Sequence, residues 1–213
     1  AQGKRSDLDE IVALLDEGKT PEQIMSRNIH FRRFEKIIRD EYFARLLKKT
    51  PPIREVKVHW LCGASGTGKS YTFVRLCESV GEDNIYFVTN LDNGTFDKYA
   101  GQPILFVDEL KEDSISYAGL LALLDRYKRQ VSARYSNTYA LWNEVYITSV
   151  FAPEQLYQEM VSYHKRPTDT YEQLRRRITD LTYFYFDCNH QRRQFFTLMD
   201  FYNDITDLRK SLE

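Results

Sequence analysis

Val56-Lys57-Val58-His59-Trp60-Leu61-Cys62-Gly63-Ala64-Ser65-Gly66-Thr67-Gly68-Lys69-Ser70 is the stretch that decides the fold. Its first half has the near-continuous apolar run of a strand buried on both faces. Its second half, Gly63 to Ser70, fits G-x-x-x-x-G-K-[ST], a loop that cradles phosphates. The chemistry requires these residue types. Backbone N–H groups must turn inward toward phosphate oxygens, which glycines permit. The N-terminus of a following helix adds partial positive charge. Gly63, Ala64, Ser65, Gly66, Thr67, Gly68, Lys69 and Ser70, with Tyr71 directly after, are therefore the expected ATP contacts. Lys69 reaches the β/γ-phosphates, and the Ser70 hydroxyl holds Mg²⁺.

A second stretch completes this chemistry. Pro103-Ile104-Leu105-Phe106-Val107-Asp108-Glu109 reads as a buried strand ending in two carboxylates. It lies about 38 residues past Lys69 in a chain that alternates strand and helix patterns. Asp108 is the expected acceptor for the Mg²⁺ shell, and Glu109 the residue that orients the attacking water. Glu144-Val145-Tyr146-Ile147-Thr148-Ser149-Val150 is a further buried strand. Its hydroxyls Thr148 and Ser149 stand at the carboxyl end, where ligands sit in open α/β sheets. Ile85-Tyr86-Phe87-Val88 and residues 181–186 supply the remaining strands. The expected fold is α/β: a central, mostly parallel sheet with flanking helices, preceded by a small helical domain.

Composition sets the outer limits. The 213 residues carry a net charge of −1 and 42% hydrophobic residues, ordinary for a globular chain with a sizeable core. That balance argues against wholesale coating of a polyanion. The basic residues cluster, however, at Lys128-Arg129 with Arg134, at Lys165-Arg166, at Arg175-Arg176-Arg177 and at Arg192-Arg193. A local basic channel within a neutral total follows. No apolar run approaches the roughly 18 residues of a membrane span, so no membrane partner is expected. Cys62, Cys77 and Cys188 are odd in number and widely spaced, the pattern of reduced thiols. Cys188 and His190 have no matching pair for a zinc site.

Three domains are read: helices over 1–50, the ATPase core over 51–190, and a helical tail over 191–213. Ser6 or Asp7 caps a first helix to about residue 17, with Leu8, Ile11, Val12 and Leu15 on one face and Gly18 as the stop. Thr20-Pro21-Glu22 starts a second. A third covers 31–48, and Pro51-Pro52 marks a linker. These helices suit a collar between subunits, a helix-turn-helix, or packing on the main domain. Between the second and third core strands, Val131, Ala133 and Tyr135 alternate with polar residues, and Ser136-Asn137 can turn a hairpin. Its mixture of basic and aromatic residues, with Lys128, Arg129 and Arg134, suits single-stranded nucleic acid. Residues 171–178 are expected as a helix that carries the arginine triplet.

In this order the motifs resemble superfamily 3 helicases, the AAA+-type ATPase domains of small replication initiators. They are most like the Rep proteins of rolling-circle plasmids and circular single-stranded DNA viruses. The resemblance covers about 55–187 and rests on Gly63 to Ser70, Ile104 to Glu109, the region from Asp125-Arg126-Tyr127-Lys128 onward, Val145 to Ser149, and Leu174 to Ile178. It implies an ATP- and Mg²⁺-dependent DNA helicase, a hexameric ring on single-stranded DNA with ATP between subunits. It assigns Lys128 and its neighbours to a pore hairpin and supports the collar reading of 1–50. Arg176 or Arg177 becomes the arginine finger given to a neighbour's ATP. A bacterial cytoplasm (for a plasmid protein) or a host nucleus (for a viral one) follows. Two departures stand out. Val150 occupies the position where the family commonly has a γ-phosphate-sensing Asn, which leaves Thr148, Ser149 or no residue as sensor. The nickase domain of full-length Rep proteins carries a His-hydrophobe-His motif, and His30, His59, His164 and His190 form none. Nicking is therefore not expected of this stretch, and an N-terminal nickase domain is expected in the full-length protein. Competing classes are a nucleotide-gated nucleic-acid-binding assembly module, an RNA helicase, and an unrelated phosphate-loop enzyme such as a small-molecule kinase. The basic hairpin argues against the kinase.

Overall fold

The computed structural model of the chain describes residues 3–92, 94–131, 138–186 and 192–195, with backbone alone at 3–5, 185–186 and 192–195. The chain divides into two compact units, Ala1–Pro51 and Pro52–Glu213. Among the described residues no helix is long and apolar enough to cross a membrane.

The first unit holds α1 (Gly3–Asp16), α2 (Pro21–Arg27), a 3₁₀ turn (Ile29–Phe34) and α3 (Glu35–Lys49). α1 ends where Gly18 turns to φ +78°. There the Gly18 N–H bonds the Leu15 carbonyl and the Lys19 N–H the Leu14 carbonyl, each 3.0 Å, which satisfies the last carbonyls of the helix. Thr20 caps α2 reciprocally with Gln23, at 3.3 and 3.1 Å. The core comprises Ile11, Leu14, Leu15, Ile24, Met25, Phe31 and Ile38. Three expectations need correction. α1 is already helical at Gly3, so Ser6 and Asp7 lie inside it and do not cap it; the Asp7 carboxylate pairs with Arg33 instead. The buried stripe of α1 is Ile11, Leu14 and Leu15, leaving Leu8 and Val12 exposed. Residues 31–34 form a 3₁₀ turn ahead of α3, capped at its start by the Asn28 side chain.

In the second unit the elements are β1 (Lys57–Gly63), α4 (Tyr71–Val80), β2 (Ile85–Val88), β3 (Ile104–Val107), α5 (Tyr117–Leu123), β4 (Gln130–Val131), β5 (Thr138–Tyr139), β6 (Glu144–Ser149), α6 (Pro153–Met160), α7 (Tyr171–Arg175), β7 (Asp180–Phe186) and β8 (Arg192–Phe195). The main sheet runs β2-β3-β6-β1-β7-β8. Its first five strands are parallel, and β8 is antiparallel to β7. Burial on both faces explains the continuous apolar runs of β1, β3 and β6: Val58, Trp60, Phe106, Leu105, Val145 and Ile147 are fully inside. The expected α/β fold is thus present. β1 and β3 are not neighbours, because β6 lies between them. Register pairs Cys62 with Ser149 and Val107 with Ile147, so the carboxyl ends of all three strands come level.

Past a turn at Lys69 and Ser70, the helix after the phosphate loop begins at Tyr71. Two further expectations change here. α7 stops at Arg175, which puts Arg176 and Arg177 in the turn leading to β7. Arg192–Phe195 pairs with β7 as an edge strand and is not the start of a helical tail. The open edge of β7 is a tertiary partner that local periodicity does not reveal. The rest of that tail, with Cys188 and His190, lies outside the described residues.

The amino ends of the central strands meet at His59. Its Nδ1 lies 2.7 Å from Asp180 on β7, and its Nε2 lies 3.1 Å from Glu144 on β6. The ring stacks on Tyr146, with centroids 4.5 Å apart. The Nδ1 contact is a hydrogen bond; the Nε2 contact is an ion pair without hydrogen-bond alignment. Burial alone would lower the His59 pKa, but the Asp180 hydrogen bond and the charges of Asp180 and Glu144 outweigh it and hold it above the ordinary value. A group whose folded pKa is raised contributes stability that is fully present below its unfolded pKa of about 6.5 and is lost as pH rises through the folded pKa. Relative to His59→Gln, the wild-type melting temperature should therefore fall as pH rises from about 6.5. Parallel pH profiles for the two proteins would refute this role.

Candidate functional site

The loop from Gly63 to Ser70 leaves the carboxyl end of β1 and enters α4. Its shape comes from two sets of side-chain hydrogen bonds and two glycine turns. Thr67 Oγ1 donates to the Ala64 carbonyl at 2.8 Å. The Lys69 ammonium donates to the carbonyls of Gly63 and Ala64, at 2.7 and 2.8 Å. Gly66 and Gly68 take φ of +79° and +89°, a region open to glycine. Gly63 is a glycine for another reason. A Cβ built there falls 2.0 Å from the Phe184 carbonyl oxygen on β7. This residue is set by the neighbouring strand as well as by the loop. Ala64, Ser65 and Gly66 are exposed at the tip, whereas Thr67 and Lys69 are buried. Burial draws the Lys69 pKa below the usual lysine range, opposed by Cys62, Glu109 and Asp108. Burial pushes the Cys62 thiol up to about 12, so it is not a nucleophile at neutral pH.

Asp108 and Glu109 follow β3 and meet this loop. Asp108 Oδ1 accepts from Ser70 Oγ at 2.9 Å and from Thr148 Oγ1 at 2.6 Å. The same Thr148 oxygen accepts the Glu109 N–H at 2.8 Å, and the Thr148 carbonyl accepts the Leu110 N–H at 2.8 Å. Glu109 is the one non-glycine with positive φ (55°) among the described residues. This costs about 1–2 kcal/mol and turns its carboxylate, exposed, into the groove wall. The groove has a volume of about 440 Å³ and is lined by the loop, Tyr71, Glu109 and Ser149, a size suited to a small-molecule ligand. Tyr71 is half exposed at its rim, with the Arg75 guanidinium 5.5 Å above the ring. Ser70 and Asp108 offer a hydroxyl and a carboxylate at the mouth of the phosphate loop. Magnesium is commonly held this way, with water and phosphate oxygens completing its shell, so the residues fit the ion.

Thr148 lies deeper than a ligand contact requires, and Ser149 reaches the groove wall from a buried position. Both are fully buried. Ser149 Oγ donates to the Leu110 carbonyl at 2.7 Å and accepts the Phe151 N–H at 3.1 Å. Ser149 and the exposed Val150 line the groove, and Thr148 does not. Sequence reasoning missed Leu110 and Lys111, which also line it; no spacing rule singles them out.

The other basic residues gather at the opposite end of the sheet. Ile53 bridges Tyr127, and the Lys128 N–H bonds the Pro52 carbonyl at 3.0 Å. The Ala140 N–H bonds the Arg129 carbonyl at 2.9 Å. These contacts fix the root of the β4–β5 hairpin, whose tip, with Arg134, lies outside the described residues. Arg129 and Arg126 stand over the Tyr127 ring at 5.7 and 5.6 Å. The adjoining groove, about 890 Å³, is lined by Arg54, Asp125, Arg126, Arg176 and Arg177 among others. Arg54, unremarkable in the sequence, is 6% exposed. Its guanidinium donates to the carbonyls of Trp142, Asp125 and Tyr127. It ties both flanks of the hairpin together. Arg175 faces Glu172 at 3.5 Å. Arg176 is exposed and has no ion pair among the described residues. Arg177 is mostly buried and donates to the Gln173 carbonyl at 2.6 Å. The triplet precedes β7 and the phosphate loop follows β1, its parallel neighbour. A seven-residue strand rises roughly 20 Å, so Arg176 and the chain's own loop stand at opposite ends of the sheet.

Residues 59–150 match the family model described as RNA helicase. This span runs from within β1 to the end of β6. A replication protein of Onion yellows phytoplasma (strain OY-M) is 27% identical over 157 residues, 72% of this chain and 38% of that protein. The chain thus spans well under half the length of this relative. A crystal structure of DnaI is 16% identical, with a TM-score of 0.39 over 71% of this chain and 80% of that one. The chain is similar to helicase-type ATPase domains and to a protein of replication.

Two stability predictions follow from the geometry. Gly63→Ala should abolish soluble folding, whereas Gly66→Ala, with nothing within 4 Å of its Cβ, should cost about 1–2 kcal/mol; equal melting temperatures would contradict this. Thr148→Val should cost about 1–3 kcal/mol in urea denaturation, because it leaves the Glu109 N–H unpaired. A neutral effect would show that Thr148 does not hold the two carboxylate residues.

Proposed function

We propose that the second unit is the ATP-dependent DNA helicase module of a rolling-circle replication initiator, working as a ring on single-stranded DNA. The observation that carries this reading is the separation of two sites on one sheet. Phosphate-loop and carboxylate residues lie at its carboxyl end, and hairpin and arginines lie at its amino end. The match to a helicase family and to a replication protein supports the class of activity. The short span of that relative fits further domains, a nickase among them, in the full-length protein.

ATP is the substrate. Lys69 leaves the loop carbonyls for the β- and γ-phosphates, and Gly66, Thr67 and Gly68 present main-chain N–H groups. Tyr71 offers an aromatic face at the rim. Ser70 and Asp108 hold Mg²⁺, which supplies charge neutralisation of the phosphates. Glu109, exposed on a fixed backbone, orients and polarises the attacking water. Ser149 closes the wall beside it, and Thr148 holds Asp108 and Glu109 in place. Arg176 is the better finger, because Arg177 is already bonded to Gln173. Roughly 20 Å of strand separates it from its own loop, so it serves the neighbour's ATP. Lys128, Arg129 and Arg134 grip the DNA backbone from the hairpin. The first unit is the collar, and its exposed apolar side chains Leu8, Val12, Ile29 and Ile37 suit contacts between copies.

ATP turnover measured with and without single-stranded DNA tests the reading, with an RNA strand in parallel. DNA should stimulate turnover; stimulation by RNA alone would favour an RNA helicase, and no stimulation a nucleotide-gated assembly module. Lys69→Ala should abolish turnover, and Arg176→Ala should lower it by roughly 10³-fold or more. Mixing the two variants should restore part of the activity. Mixed rings that form and stay inactive would refute a finger acting between subunits.

A further inference from the structure

Asp125 sits just past α5 and is 7% exposed. Its carboxylate serves two arginines from different elements. Oδ2 lies 3.0 Å from Arg129 at the hairpin root, and 3.8 Å from Arg177 in the turn before β7. Its carbonyl accepts from Arg54 at 3.1 Å. Three guanidiniums therefore converge on one residue that carries a single negative charge. The sharing is unequal. The Arg129 contact has hydrogen-bond length and the Arg177 contact does not. Arg177 also donates to the Gln173 carbonyl, and its Nε is buried with no hydrogen-bond partner among the described residues. A buried charge with an incomplete partner is costly, and the Asp125 carboxylate lies within ion-pair reach of both arginines.

We infer that Asp125 is a positioning residue whose carboxylate, shared between Arg129 and Arg177, couples the arginine turn to the root of the hairpin. The inference rests on the reading above, in which the turn meets a neighbour's ATP and the hairpin meets DNA. When the turn is drawn toward the neighbour's phosphates, Arg177 recedes and the carboxylate passes wholly to Arg129, fixing the hairpin root. When the turn relaxes, Arg177 competes again and the root loosens. Arg54 stays in place throughout, because its other two bonds go to Trp142 and Tyr127.

The test is the affinity of the full chain for a fluorescent oligo-dT, measured with a non-hydrolysable ATP analogue and with ADP. The wild-type affinities should differ by about fivefold or more. In Asp125→Asn that ratio should fall to within about twofold of one, with basal ATP turnover and oligomeric state retained. A merely structural Asp125 would lower stability and turnover together and leave the ratio unchanged. If Asp125→Asn does not fold, Asp125→Glu keeps the buried charge but shifts it by one methylene, and it should also compress the ratio. A wild-type ratio of one overturns the helicase reading and this inference with it. A normal ratio in a folded Asp125→Asn, or failing that in Asp125→Glu, overturns the coupling alone.

Discussion

The hydroxyl of Thr148 joins the two carboxylate residues to the strand between them and the phosphate loop. β6 separates β1, which carries the loop, from β3, which carries Asp108 and Glu109. The loop and the carboxylates are therefore two strands apart, and no backbone ladder joins them directly. Thr148 Oγ1 donates to Asp108 and accepts from Glu109, while Ser70 Oγ reaches Asp108 from the loop side. A register slip of one residue on β6 would turn Thr148 to the other face of the sheet. The loop would keep its shape, and the carboxylates would lose their anchor.

The sheet also divides the electrostatics. Parallel strands place all their carboxyl ends together, and there Lys69 and Lys111 stand near Asp108 and Glu109. The amino ends collect His59 with its two carboxylates, and Arg54, Arg126, Arg129, Arg176 and Arg177 around Asp125. A net charge of −1 for the whole chain gives no sign of the arginines gathered at one end of the sheet. The arrangement also means that one copy cannot bring its own exposed Arg176 to its own loop.

Much of this was legible in the sequence. The phosphate loop, the acidic pair and the three buried strands could be read because their chemistry requires particular residues at short spacing. What failed was long-range. Strand order is absent from local pattern, so the position of β6 between β1 and β3 went unseen. Thr148 read as a ligand contact because strand ends face ligands, yet its hydroxyl points to Asp108. Arg54 gave no sign, since a buried arginine is recognised only by the three carbonyls it bonds. The arginine triplet read as helical because Leu174 and Ile178 are four apart. The structure ends α7 at Arg175 and leaves Arg176 outside the helix. The edge strand Arg192–Phe195 depends on the open side of β7, a partner that periodicity cannot supply.

Val150 shows how the end of β6 differs from what its neighbours suggest. It is 46% exposed in the groove wall, and an apolar side chain there offers no hydrogen bond to a phosphate. Ser149 is buried, and its hydroxyl already both donates and accepts. Thr148 is committed in the same way. No polar side chain at this strand end is therefore uncommitted, and a force on Asp108 or Glu109 is felt through their bonds to Thr148. Glu109 is the sensitive point. Its φ of 55° is tolerated because Thr148 holds its N–H and the next, and weakening those bonds would release about 1–2 kcal/mol of backbone strain. The strand end thus meets the groove through Ser149 and Val150 and holds the Glu109 backbone through Thr148.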